Sequence, residues 1–251
     1  MRIKKLFYQL SFYPLLLLPF LLSMLRTVSL DDKNMAVVEI NHLYKNLKGR
    51  VILSDINLSL EKGNAYGFYG HNGSGKSMLF RAIAGLIHPT EGTVTVFNKK
   101  IGDEVSFPES LGLIIESVGF WPYYTGYENL KTLASIKNII SDDDIKHAIE
   151  RVGLDPNDKR AYRKYSLGMK QRLGIAQAVM EKPNLILLDE PTNALDENGV
   201  EQVRNIIREE VNRGAAVLVA SHNKEDLNLL CSRFFKMNDG KLTETTGEIL
   251  K

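Results

Sequence analysis

Cysteine is nearly absent: Cys231 is the only one in 251 residues. A lone thiol excludes an internal disulfide and a thiolate metal site, and the expectation for it is a half-buried, small apolar side chain. Charge of one sign is scarce as well. Lys and Arg number 32 against 30 Asp and Glu, a formal net charge of +2. Even that excess is local, because residues 1–34 hold Arg2, Lys4, Lys5, Arg26 and Lys33 against Asp31 and Asp32. The rest of the chain carries 27 basic and 28 acidic groups, without the electrostatic footprint of a nucleic-acid binder. Internal repeats and low-complexity tracts are missing, and beyond the first 34 residues there is no bundle of apolar spans. What remains is the composition of an ordinary globular protein, 44% apolar and 25% charged, long enough for one or two domains and a sizeable core.

The most informative stretch is Gly70-His-Asn-Gly-Ser-Gly-Lys-Ser77, which fits the phosphate-loop pattern G-x-x-x-x-G-K-[S/T] at every specified position. Gly70, Gly73 and Gly75 let the backbone turn tightly and bring its N–H groups against phosphate oxygens. The intervening His71, Asn72 and Ser74 and the following Met78 complete the segment. Lys76 can reach the β- and γ-phosphates, and the Ser77 hydroxyl can sit on a phosphate-bound Mg²⁺. Ala65-Tyr-Gly-Phe-Tyr69 before the loop reads as a strand. Leu79, Phe80, Ile83, Leu86 and Ile87 after it recur at helical spacing, so a helix N-terminus faces the anion. The pattern implies nucleotide binding.

Residues 1–34 are unlike the rest. Arg2-Ile-Lys-Lys5 precedes an apolar run from Leu6 to Leu25, broken by Pro14 and Pro19, and three readings stay open. The run is about long enough to span a bilayer, but the positive-inside rule then puts the nucleotide site outside the cell. Its basic start resembles a signal peptide, though no small-residue cleavage site is evident. In the third reading the functional protein starts at Met35, and residues 1–34 reflect an over-long start assignment.

From Ala36 the pattern is one of short strands (Ala36–Ile40, Val51–Leu53, Ile56–Leu60, Thr93–Phe97) with turns at Lys48-Gly49 and Lys62-Gly63, which predicts an antiparallel sheet. From about Val105 to Tyr165 the composition turns helical. Glu128–Lys137 is one predicted helix, and Ser141-Asp-Asp-Asp144 opens another as a capping box with Gly153 as its stop. Met169, Leu173, Ala176 and Met180 keep helical spacing after Ser166. Leu185–Leu188 and Ala215–Ala220 are continuous apolar strands joined by the helix-patterned Glu197–Val211, the signature of a parallel sheet covered on both faces. Ligands of such sheets sit outside the carboxyl ends of strands. Here those ends carry the phosphate loop, Asp189-Glu190 and Ser221-His222. Asp189 can accept from water on Mg²⁺ or from Ser77, and Glu190 can take a proton from a water attacking the γ-phosphate.

This ordered set resembles the nucleotide-binding subunits of ATP-binding cassette (ABC) transporters, over Met35 to about Leu242. The phosphate loop is followed by Tyr165-Ser-Leu-Gly-Met-Lys-Gln-Arg172, similar to the family signature. Then come Leu185–Glu190, Pro191-Thr-Asn-Ala-Leu-Asp196, and His222 at the switch-histidine position. The resemblance implies an α/β phosphate-loop NTPase with a mostly parallel core sheet, an antiparallel β subdomain and an inserted helical subdomain at about residues 105–180. It also implies that two copies, or this chain and a similar ATPase subunit, sandwich two ATP molecules. Ser166 and Gly168 of one copy then complete the site on the other's phosphate loop. Asp196 links the sites, His222 senses the γ-phosphate, and Ser77, Asp189 and the lid residue Glu116 hold Mg²⁺.

Four positions depart from the family pattern. Leu167 and Met169 replace a glycine and a glutamine of the signature. Leu47 falls where an aromatic side chain stacks on adenine, which leaves base discrimination weak and GTP use open. The lid carries Glu116 rather than glutamine, and Met78 stands where a second hydroxyl is common. Glu116 and the run Pro122–Leu130 look most like the subgroup that serves bacterial exporters of peptide antibiotics and lantibiotics. Phe120, Trp121, Tyr123, Tyr124 and Tyr127 form an aromatic cluster beside the lid, read either as a permease docking surface or as local core. The function implied is Mg²⁺-dependent ATP hydrolysis that powers a separate transmembrane permease, for export of a peptide antibiotic, drug or lipid-like compound, from the cytoplasmic face of the membrane, with no nucleic-acid partner. The alternative is an ABC-type ATPase acting on ribosomes or DNA.

Overall fold

The computed structural model describes residues 36–116 and 119–245; the N-terminal extension and all three readings of it lie outside the described residues. Strands β1 (Ala36–Leu47) and β2 (Arg50–Glu61) form a long antiparallel hairpin. Lys48 and Gly49 both have positive φ at its turn, as a tight hairpin requires. The sequence predicts shorter pieces here because His42 and Asp55 interrupt the period-2 pattern. Both are left-handed, at φ 48° and 52°, and the pairing register shifts beside each. The two bulges are tied to one another by His42 Nδ1 and Asp55 Oδ1, 2.8 Å apart.

Strand β3 (Ala65–Tyr69) leads into helix α1 (Lys76–Ile83). Strands β4 (Glu91–Val96) and β5 (Lys99–Lys100) then complete a four-stranded sheet in the order β2-β1-β4-β5. Next come β6 (Leu111–Ile114), helices α2 (Gly126–Lys137), α3 (Asp142–Arg151) and α4 (Leu167–Val179), and strand β7 (Leu185–Asp189). Helix α5 (Glu197–Asn212), β8 (Ala216–Ala220), α6 (Lys224–Leu230), β9 (Arg233–Asn238) and β10 (Lys241–Thr245) close the described chain. The second sheet runs β10-β9-β3-β8-β7-β6, parallel throughout except for β10.

The apolar runs of β7 and β8 are continuous because both faces of this sheet are covered. Ile186, Leu188, Val217 and Val219 pack with Leu130, Ile149, Leu173 and Val203 of the helices. Their neighbours Leu185, Leu187, Ala216 and Leu218 point the other way, onto Leu79, Phe80 and Ile83 of α1 and the antiparallel sheet. Period-2 alternation thus serves two cores at once.

Within the stretch expected to be helical, Leu111–Ile114 is instead a strand, paired with β7. Gly112 explains its fit: a Cβ there would lie 1.9 Å from the carbonyl oxygen of Ala178, so only glycine lets α4 lie this close to the sheet. The helical insertion therefore follows β6. Helix α2 begins two residues before the expected Glu128, because Thr125 and Glu128 cap it reciprocally. Ser141 and Asp144 cap α3 as the sequence predicts. The hairpin β9–β10 and helix α6 have no counterpart among the sequence expectations. Among the described residues, no helix is long and apolar enough to cross a membrane.

Candidate active site

Strands β3, β8 and β7 are neighbours, so their carboxyl ends place the phosphate loop, Ser221-His222 and Asp189-Glu190 side by side. The loop passes close under β9: a Cβ on Gly70 would lie 2.1 Å from the carbonyl oxygen of Met237. Gly75 caps α1 in a left-handed conformation, φ 112°, and supplies no side chain to the first helical N–H groups. Those donors face the loop without a capping side chain or an acidic residue in the first turn, which is the arrangement that receives an anion. Lys76 is buried and bridges the loop, its Nζ donating to the carbonyls of Gly70 at 2.9 Å and His71 at 3.4 Å. Ser74 is buried too, and its Oγ has no hydrogen-bond partner among the described residues. His71 and Asn72 lie on the exposed outer turn.

Ser77 Oγ donates to Asp189 Oδ2 at 2.5 Å. Burial pushes the Asp189 carboxyl above its ordinary range. The Ser77 bond and Lys76 oppose that shift, and the charges of Glu190 and Glu116 add to it. Glu190 has φ 51°, and its N–H donates to Ala220 O at 2.8 Å. Its carboxylate accepts from the His222 backbone N–H at 3.1 Å, lies 2.9 Å from His222 Nδ1, and accepts from Ser221 Oγ at 3.3 Å. Glu116, also left-handed at φ 59°, pairs with Arg81 at 2.9 Å.

A cavity of about 430 Å³ opens here, lined by Asn72, Gly73, Gly75, Lys76, Ser77 and Met78 of the loop and helix, with Ile52, Arg81, Glu116, Asp189 and Glu190; Gly70, His71, Ser74 and His222 are not among its lining residues. Arg81 and Ile52 are not among the sequence-derived site residues. Arg81 could have been suspected, since it lies one helical turn past Ser77. The donor set fits a hard divalent cation held jointly with phosphate: Ser77 hydroxyl, Asp189 and Glu116 offer only oxygens, the preference of Mg²⁺. Among the described residues no three His, Cys, Asp or Glu side chains cluster to hold a metal by themselves.

Ser166, Gly168 and Asp196 do not line this cavity. Ser166 caps α4, its Oγ accepting from Met169 N at 3.2 Å, and both Ser166 and Leu167 are exposed. Asp196 caps α5 through Gly199 N at 3.0 Å and pairs with Arg172 at 2.7 Å. The Gly199 N–H, with Arg172, holds its carboxyl below the usual range. Leu47 is exposed beside the β1–β2 turn, paired with Arg50 near the start of the strand that carries Ile52. The aromatic cluster divides. Phe120 packs edge-on against Tyr162, centroids 5.2 Å apart, within the core, and Tyr127 packs against that core. Trp121 and Tyr124 stack at 6.0 Å on the surface, and Tyr123 is exposed under the guanidinium of Arg163. Cys231 is buried, which pushes its thiol far above the ordinary range and keeps it protonated.

Comparison with known proteins gives the same picture. A family model described as ABC transporter matches residues 53–193. The uncharacterized ABC transporter ATP-binding protein YybJ of Bacillus subtilis (strain 168) is 48% identical over 214 residues, 85% of this chain and 98% of that protein. The bacitracin transport ATP-binding protein BcrA of Enterococcus faecalis is 36% identical, covering 83% of this chain and 68% of its own length. The lantibiotic transport ATP-binding protein SrtF of Streptococcus pyogenes is 34% identical, covering 82% and 89%. Two solved structures share the fold. An ATP-binding subunit of an ABC transporter superposes with a TM-score of 0.77 at 23% identity, over 84% of this chain and 90% of that one. A dimeric ATP-binding cassette in a post-hydrolysis state, bound to ADP and Pi, gives 0.74 at 24% identity, over 84% and 99%. The family match covers residues 53–193, more than half of the chain, and the YybJ relative is 48% identical over 85% of it: the chain belongs to the ABC transporter family and is one of its ATP-binding subunits.

Proposed function

We propose that this subunit hydrolyses ATP with Mg²⁺ and powers a separate membrane permease that exports a peptide antibiotic or a compound of similar character. The observation that carries the chemistry is the meeting of Ser77, Asp189 and Glu190 around one cavity, with His222 Nδ1 2.9 Å from the Glu190 carboxylate. Lys76 lies at the mouth of the loop, where its ammonium can leave the loop carbonyls for the β- and γ-phosphates. Ser77, Asp189 and Glu116 hold the cation, which when bound neutralises charge on the phosphate oxygens. Glu190 accepts the proton of the attacking water. With Nδ1 of His222 directed at Glu190, Nε2 is the nitrogen left for the γ-phosphate.

A second copy, or a similar subunit, supplies Ser166 and Gly168, which in one copy stand away from its own cavity at the tip of α4. Nucleotide binding then closes the pair and hydrolysis opens it, because the closed form has the higher affinity for the triphosphate. The direction of transport and the class of cargo follow from relatives named for bacitracin and lantibiotic transport. Trp121, Tyr123 and Tyr124 offer the surface on which a permease docks, in keeping with aromatic enrichment at interfaces, and the subunit sits peripherally on the cytoplasmic face. A ribosome- or DNA-directed role gains no support from the near-neutral body or from these relatives.

The test is turnover of the purified protein with and without Mg²⁺, beside the variant Glu190→Gln. The expected result is metal-dependent phosphate release that falls by at least about a hundredfold in the variant, while nucleotide binding persists. Full turnover in Glu190→Gln would remove Glu190 from the base role.

A further inference from the structure

One face of α4 holds the loop that carries Glu190. Gly168, Gln171 and Arg172 stand at i, i+3 and i+4, the spacing that aligns side chains along a helix, and all three meet residues 190–196. An added Cβ on Gly168 would lie 2.9 Å from the Ala194 carbonyl oxygen. Gln171 Nε2 donates to the carbonyl of Glu190 at 3.2 Å and to that of Pro191 at 3.1 Å. Arg172 pairs with Asp196 at 2.7 Å and donates to Gln202 Oε1 at 3.1 Å.

Glu190 needs such support. Its backbone is left-handed, a state that a side chain-bearing residue keeps only where its surroundings impose it. The peptide before it is fixed from the sheet, through its N–H to Ala220 O. The peptide after it ends in Pro191, which has no N–H to offer. Its carbonyl accepts from Asn193 N within the turn at 3.3 Å, and among the described residues its side-chain donor from outside the loop is Gln171. The Gln171 carboxamide straddles two successive carbonyls and is half-buried, so water is a poor substitute.

We propose that Gln171 is a positioning residue for Glu190, fixing the peptide that follows the carboxylate and so linking the tip of α4 to the same copy's own hydrolytic site. A nucleotide seated on Ser166 and Gly168 is then felt at Glu190 through three residues of a single helix face. This rests on the reading of Glu190 as proton acceptor. Gln171 does not line the cavity, and its contribution is the angle at which the carboxylate is presented, where a misplacement near 1 Å costs about a hundredfold in rate.

The experiment compares kcat, KM for ATP and thermal midpoint in the full chain and in Gln171→Glu, Gln171→Lys and Glu190→Gln. Gln171→Glu keeps size and reach but turns a donor into an acceptor facing two carbonyls. It is expected to lower kcat at least about tenfold, with KM within about twofold and the thermal midpoint unchanged. Gln171→Lys, which restores a donor, is expected to recover kcat to within about threefold of the parent. Unchanged kcat in Gln171→Glu overturns the proposal. So does a parallel change in kcat, KM and thermal midpoint, which marks a purely structural role, and so does a loss in Gln171→Lys as deep as in Gln171→Glu. Should Gln171→Glu not fold, Gln171→Ala decides by the same split between kcat and KM. Inactive Glu190→Gln beside active Gln171→Glu sinks the positioning role alone; active Glu190→Gln sinks the proton-acceptor reading and the proposal with it.

Discussion

Ser77 and Asp189 are joined by a hydrogen bond of 2.5 Å between the first turn of α1 and the last residue of β7. The bond spans 112 positions of sequence and brings together two of the oxygen groups proposed to hold the cation. It also satisfies a carboxylate that burial disfavours in its charged form.

Ser77→Ala removes a proposed metal ligand and leaves Asp189 short of a donor. The expected outcome is a selective loss of metal-assisted binding: affinity for nucleotide with Mg²⁺ falls about tenfold, roughly 1.4 kcal/mol, and affinity without metal changes little. Paired titrations with a nonhydrolysable ATP analogue, with Mg²⁺ and with chelator, measure the difference. An equal loss in both would take Ser77 away from the metal.

Leu47, proposed to lie where the family stacks an aromatic ring on the base, is exposed beside the hairpin turn, while Ile52 of β2 lines the cavity. An aliphatic contact has no quadrupole and no preferred stacking geometry, so ATP and GTP should bind within a fewfold of each other. Leu47→Tyr should tighten ATP binding by about 0.5–1.5 kcal/mol, the range for an aromatic pair beyond its area. Competition between the two nucleotides in parent and variant checks both statements; a strong ATP preference in the parent contradicts them.

Asp226 on α6 is buried, accepts from Thr192 at 2.9 Å and pairs with Arg204 of α5. It ties the helix after His222 to the loop after Glu190. Asp226→Ala strands the guanidinium, and removing one partner of a buried pair costs about 3–5 kcal/mol; the remaining Glu201 contact of Arg204 places the expected loss at the lower end. Urea unfolding measures it. A change under about 0.5 kcal/mol would show that the pair does not stabilise the fold.

The residues that were legible in the sequence are those whose chemistry is local or whose burial is two-sided. The phosphate loop needs its glycines and lysine within eight positions, and β7 and β8 announce themselves because neither face tolerates a polar side chain. Strand β6 escapes notice because four residues with a central glycine carry no period, and what fixes them is contact with Ala178 on a distant helix. The β9–β10 hairpin does carry a signal, Asp239-Gly240 between alternating runs, although the parallel-sheet pattern ends before it. The pairing of Arg81 with Glu116 and the reach of Gln171 to the Glu190 carbonyl have no trace in spacing, since each joins segments that only the folded sheet brings together.

The central claim is that two copies close around triphosphate and part after hydrolysis. Sedimentation velocity of Glu190→Gln tests it most directly, with ATP, with ADP and without nucleotide, in the presence of Mg²⁺. A dimer is expected with ATP, and a monomer in the other two conditions. The same sedimentation coefficient in all three, at saturating nucleotide, would contradict it.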